Sequence, residues 1–133
     1  MALDISALSN KEAVTAIYVG YFNRAPDPEG LQYWIDELEA GNLTLAGIAT
    51  SFSEQPETTA LYPFFSTPDV ASATAFVTSV YLNLFNRAPD AAGLNYWVGE
   101  VQANADSAGL GQVILNIISG AQGDDITIVN NKI

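Results

Sequence analysis

The sequence predicts an all-α protein, and three observations carry that prediction. A 21-residue segment occurs twice, apolar residues recur at helical spacing around each copy, and helix-start signals sit where those patterns begin. Tyr18–Leu38 (YVGYFNRAPDPEGLQYWIDEL) returns as Tyr81–Val101 (YLNLFNRAPDAAGLNYWVGEV), with 12 of 21 positions identical and 63 residues from Arg24 to Arg87. Self-similarity at a fixed period means that one supersecondary unit is built twice.

Taken in order, Val14, Ile17, Tyr18, Tyr21 and Phe22 follow the i, i+3, i+4, i+7, i+8 rule for one apolar helix face. Ser9 with Glu12 forms a capping box at its start. The motif then turns a corner. Ala25 before Pro26 is pushed out of the α region and ends the first helix. Asp27 is placed to cap the next helix and Pro28 fits its first position. Gly30 lies in that helix's first turn, where a missing Cβ would let another backbone pass close by. Leu31, Trp34, Ile35 and Leu38 mark its buried face, and a third helix is expected from about Thr44 to Ser53.

The second copy repeats the plan. Val77, Val80, Tyr81, Leu84 and Phe85 form the first face, with Thr67, Pro68 and Asp69 as its start signal. Asp90 and Gly93 restate the corner; Leu94, Trp97, Val98 and Val101 restate the second face. A third helix is expected from about Ser107 to Ser119. The reading is two three-helix units, residues 9–54 and 68–120, packed as one compact helical domain. Between them, residues 55–68 are rich in Pro and Thr and carry Tyr62-Pro-Phe-Phe65, a linker with enough aromatic surface to be packed. The tail, residues 121–133, ends in Val129-Asn-Asn-Lys-Ile133, which resembles Leu8-Ser-Asn-Lys-Glu12. It reads as the start of a further repeat or as a chance match, and it places Lys11 and Lys132 at matching helix entrances.

Composition narrows function more than it defines it. Among 133 residues there are 4 Lys and Arg against 15 Asp and Glu, a net charge of −11. That excludes a nucleic-acid binder, which needs clustered basic side chains to neutralise phosphates, and disfavours an anionic membrane surface. With no Cys and no His, thiolate nucleophiles, most zinc sites and the commonest general base are absent. No run approaches the roughly 18 consecutive apolar residues of a membrane span. The opening residues carry no basic n-region and no long apolar run, so a cleaved secretory signal is not expected there. By itself this suits a soluble cytoplasmic protein, although composition does not decide the compartment. No nucleophile–base pair is visible, so the chain is expected not to be an enzyme.

The candidate site residues lie in the duplicated corner. Asn23, Arg24, Pro26, Asp27, Gly30, Trp34 and Glu37, with Asn86, Arg87, Pro89, Asp90, Gly93, Trp97 and Glu100, form a structural motif. Arg24 and Arg87 each precede a glutamate by 13 residues, which suggests ion pairs to Glu37 and Glu100; the planar guanidinium suits such bidentate pairing. The functional alternative is an anionic ligand on these arginines. Tyr33 and Tyr96 are candidate ligand-binding residues. Adjacent helix positions point about 100° apart, so the tryptophans face inward while the tyrosines lie nearer the surface, where aromatic faces can stack on sugar rings. For calcium, Asp27 with Glu29, the group Asp36, Glu37 and Glu39, and Asp124-Asp125 supply hard oxygen ligands. None forms an EF-hand loop, and a solvated acidic surface explains them better than a calcium site does. No other cofactor is indicated.

The Tyr-x-x-x-Phe-Asn-Arg-Ala-Pro-Asp-x-x-Gly-Leu-x-Tyr-Trp element, the Ser-Asn-Lys near residue 10 and Gly120-Ala-Gln-Gly-Asp-Asp125 resemble a bacterial repeat of unknown function. That family occurs in large, acidic, secreted or cell-surface proteins, including S-layer-like and RTX-type calcium-binding proteins. The resemblance implies export through a C-terminal type I secretion signal, assembly on the cell surface, and neighbouring subunits or surface polysaccharide as partners. A glycan- or lipopolysaccharide-binding domain is the alternative it leaves open. It implies no catalytic residues, and this chain lacks the glycine-rich calcium repeats of the longer members. The spacing of Arg, Pro, Gly-Leu and Tyr-Trp is also similar to the phycobilisome linker domain, which implies instead an intracellular helical scaffold.

Overall fold

The computed structural model describes residues 7–24, 26–62, 64, 69–104 and 109–133. Among them are helices and no β-strand: α1 (Asn10–Phe22), α2 (Pro28–Glu39), α3 (Leu45–Ser53), α4 (Pro56–Leu61), α5 (Val70–Phe85), α6 (Ala91–Ala103), α7 (Gly109–Ser119) and α8 (Asp124–Lys132). The two expected helix triplets are α1–α3 and α5–α7. Each is followed by a further short helix, α4 lying within the linker and α8 within the tail.

The starts are set by local chemistry. Ser9 and Glu12 exchange bonds to each other's backbone N–H, both 3.1 Å. Asp27 and Asp90 accept from the N–H of Gly30 and Gly93, each at 2.7 Å. Such caps contribute about 1 kcal/mol each. At α5 the cap is Asp69, paired reciprocally with Ser72. This corrects the expected start, in which Pro68 would be the first helical residue; Thr67 and Pro68 lie outside the described residues.

The ends of α1 and α5 are also corrected. The helix turns at Asn23 (φ 56°) and Asn86 (φ 58°), each left-handed, each N–H closing onto a carbonyl four residues back, Val19 and Leu82. Asparagine is one of the few side chains that accepts this conformation. It terminates the helix before the proline can act, and Ala25 lies outside the described residues.

The core is built around α1, α3, α5 and α7. Helix α1 buries Ala13 through Ile17, Val19, Gly20 and Tyr21, most of its circumference rather than one stripe. A helix apolar nearly all round is a central helix. It crosses α5 where Gly20 faces Leu84, a Cβ on Gly20 falling 3.5 Å from the leucine. Asn83, which aligns with Gly20 in the repeat, donates to the Gly20 carbonyl at 2.8 Å. The most extensive helix pairing is α3 with α7. There a Cβ on Gly111 would overlap the Ala46 carbonyl and the Thr50 hydroxyl. The expectation that Gly30 and Gly93 admit a passing backbone is not met: a Cβ at either would meet its own capping aspartate, at 3.2 and 3.1 Å. The close backbone approach belongs to Gly111. From the linker, Tyr62 and Phe64 are buried, Phe64 stacking on Phe76 at 5.8 Å.

Lys132 lies in the last turn of α8, not at a helix entrance as the tail's likeness to Leu8–Glu12 suggested. Its ammonium donates to the Asn83 carbonyl and the Asn86 side chain, both at 2.6 Å, and so ties α8 to the C-terminal end of α5. Desolvation there lowers its pKa below the usual lysine value.

Candidate functional site

The duplicated corner brings an arginine, an aromatic ring and a carboxylate together in each repeat. Arg24 lies over the ring of Tyr18, 5.0 Å from its centroid, and donates to both oxygens of Glu57 at 3.0 and 2.9 Å. Arg87 lies 5.4 Å over Tyr81 and donates to both oxygens of Asp125 at 3.1 and 2.7 Å. The ion pairs expected to Glu37 and Glu100 are therefore not the ones formed. Those glutamates sit near the far ends of α2 and α6, whereas Glu57 and Asp125 are the second residues of α4 and α8. A carboxylate in a first helical turn also meets the positive end of the helix dipole. The side chains of Arg24 and Glu57 are 51% and 44% exposed, so their pair contributes under about 1 kcal/mol. Asp125 is only 15% exposed, and the second clamp is held more firmly. Hydrogen bonding to the carboxylate raises the pKa of each arginine above its ordinary value.

This pairing was missed because the acids fall at different distances, 33 and 38 residues from their arginines. The available signal was the start of a fourth helix at Pro56-Glu57 and Gly123-Asp124-Asp125. With both carboxylate oxygens engaged on each guanidinium, the arginines hold the fourth helix of each repeat to its corner.

The Tyr-Trp pairs divide between interior and surface. Tyr33 is 55% and Tyr96 is 58% exposed, each set edge-on to its neighbouring tryptophan at 4.9 and 4.8 Å. Trp34 packs edge-on against Phe52 at 5.2 Å. Trp97 instead donates its indole N–H to the Tyr81 hydroxyl at 2.9 Å. Around Trp34 a cleft of about 280 Å³ opens between α2 and the ends of α1, α3 and α4.

The acidic residues considered for calcium are dispersed. Asp27 caps α2, Asp36 accepts from Gln32 at 2.8 Å, and Asp125 is bound to Arg87. Among the described residues no three Asp or Glu side chains come together in a metal-sized group. No described helix is long and apolar enough to cross a membrane.

Two copies of one helical corner, each locked by an arginine, define the class: a tandem-repeat all-α module. The family model for a domain of unknown function, DUF4214, matches residues 4–62 and again residues 65–121, and the chain belongs to that family. It is also 26% identical over 127 residues to a protein named S-layer protein from Synechocystis sp.. That match takes in 90% of this chain and spans 7% of the relative's length. No solved structure matches.

Proposed function

We propose that the chain is a non-catalytic helical module of a secreted or cell-surface bacterial protein, acting in surface-layer assembly or attachment through neighbouring subunits or surface polysaccharide. The likeness to an S-layer protein across 90% of the chain carries this reading. The architecture suits it: both arginines are tied into the corners, and a net charge of −11 leaves a hydrated acidic exterior. Immunogold labelling of intact source cells with antibody to this chain tests it. Label on the outer face supports the reading, and label only after permeabilisation contradicts it.

A second reading, contact with a glycan, is favoured by one observation. Tyr33 and Tyr96 stay exposed beside half-buried tryptophans, and large aromatic faces left in solvent are suited to ligand contact.

A further inference from the structure

The two repeats share a motif but not its closure. In the second, Trp97 is bonded to Tyr81, and Val98 and Val101 of the same helix are buried. In the first, α2 buries none of its residues: Ile35 and Leu38, which align with those valines, remain partly exposed. Trp34 makes no hydrogen bond like that of Trp97 among the described residues. The unclosed space is the cleft of about 280 Å³, lined on its apolar side by Tyr18, Phe22, Trp34 and Phe52. Sites for drug-sized ligands occupy roughly 300–1,000 Å³, so the size of this one suits a single ring rather than a chain.

The polar lining selects the chemistry of that ring. Asp27 uses one oxygen to cap α2, leaving its second as an acceptor. The Gln55 side chain donates to the Ser51 carbonyl at 3.3 Å, leaving its amide oxygen as another. The Trp34 indole supplies a donor. Glu57 completes the rim, but both its oxygens are held by Arg24, whose positive charge stands over Tyr18. Because Arg24 neutralises Glu57, a cationic ligand would meet one unpaired carboxylate, Asp27, already engaged at the start of α2. An anionic one would face Asp27 and a net charge of −11. A mixed set of donor and acceptors beside aromatic faces suits a neutral, polyhydroxylated ring, whose C–H face packs on the aromatics.

We propose that the cleft of the first repeat binds one neutral pyranose residue, its ring against Trp34 and its hydroxyls bonded to Asp27, Gln55 and the indole N–H. The second repeat, sealed by the Trp97–Tyr81 bond, does not bind. This deepens the glycan reading and rests on it.

The chain has two tryptophans, so ¹⁵N-labelled protein gives two indole N–H signals, assigned with Trp34→Phe and Trp97→Phe. Methyl glucoside, methyl mannoside, methyl galactoside and N-acetylglucosamine are titrated in turn. The expected result is a saturable shift of the Trp34 signal by at least one sugar, with Kd on the order of 1–10 mM, while the Trp97 signal stays still. Asp27→Asn keeps an efficient cap and is expected to weaken binding about three- to tenfold by removing the carboxylate charge. A Trp34 signal unmoved up to about 100 mM sugar, equal drift of both indoles, or a shift produced by choline or lysine but not sugar each overturns the proposal. Movement of Tyr33 and Tyr96 ring signals with Trp34 silent would overturn the cleft but keep glycan contact. None of these results bears on the immunogold outcome.

Discussion

Tyr21 carries a hydroxyl over which the core has closed. The side chain is fully buried, its oxygen has no hydrogen-bond partner among the described residues, and desolvation raises its pKa far above the usual phenol value. Its backbone carbonyl, by contrast, accepts from the Tyr62 hydroxyl, which also accepts from the Asn83 amide at 3.3 Å. An unsatisfied buried hydroxyl costs free energy, whereas a satisfied one contributes. Tyr21→Phe is therefore expected to raise stability by about 1 kcal/mol, and Tyr62→Phe to lower it by about 1–2 kcal/mol. Urea midpoints of the two variants check the opposite signs. Helical spacing identified Tyr21 as an interior residue. It could not supply the role of Tyr62, which lies 41 residues away in a stretch with no periodic pattern.

Helix caps are local, and that is why they were readable. Ser9, Asp27 and Asp90 each act within three residues, so residue type and spacing suffice to place them. The clamps on Arg24 and Arg87 were not readable from the repeat, because the acids reside on helices outside the duplicated 21 residues. Glycine shows the same division. Gly30 and Gly93 stood out by recurring, yet the residue that requires the absent Cβ is Gly111, where α7 meets the backbone of α3. Gly111→Ala is expected to cost about 2–3 kcal/mol by overpacking, despite alanine's better helix propensity. Gly99, exposed within α6 with nothing near its Cβ position, is the control. Gly99→Ala is expected to stabilise by about 0.5–1 kcal/mol. Thermal melts of both variants would show opposite shifts, and a neutral Gly111→Ala would mean that α3 and α7 are not in close contact.

Across the whole molecule, burial couples the tyrosines to pH. Desolvation is the largest cause raising the phenol pKa of Tyr21, Tyr62 and Tyr81. A raised folded-state pKa contributes stability that is fully present below about pH 10 and is lost as pH rises past it, because the unfolded chain releases the protons first. Lys132, with its pKa lowered, acts in the opposite sense below the usual lysine value, as one group against three. Urea midpoints are accordingly expected to fall from about pH 8 to about pH 11, and a flat profile would show that these phenols are not buried.

The all-α class was legible from periodicity and duplication; the interlocking was not, since it depends on α1 crossing α5 and α3 crossing α7, contacts between halves that sequence spacing does not encode. With α1 packed on α5 and α3 on α7, the two halves share one core and are expected to unfold as one cooperative body. Each repeat holds one tryptophan, so Trp97→Phe reports on the first and Trp34→Phe on the second. In each variant, urea unfolding followed by tryptophan fluorescence and by far-ultraviolet circular dichroism is expected to give one coincident transition. A fluorescence transition displaced from the dichroism transition in either variant would show the repeats unfolding separately, and would contradict a shared core.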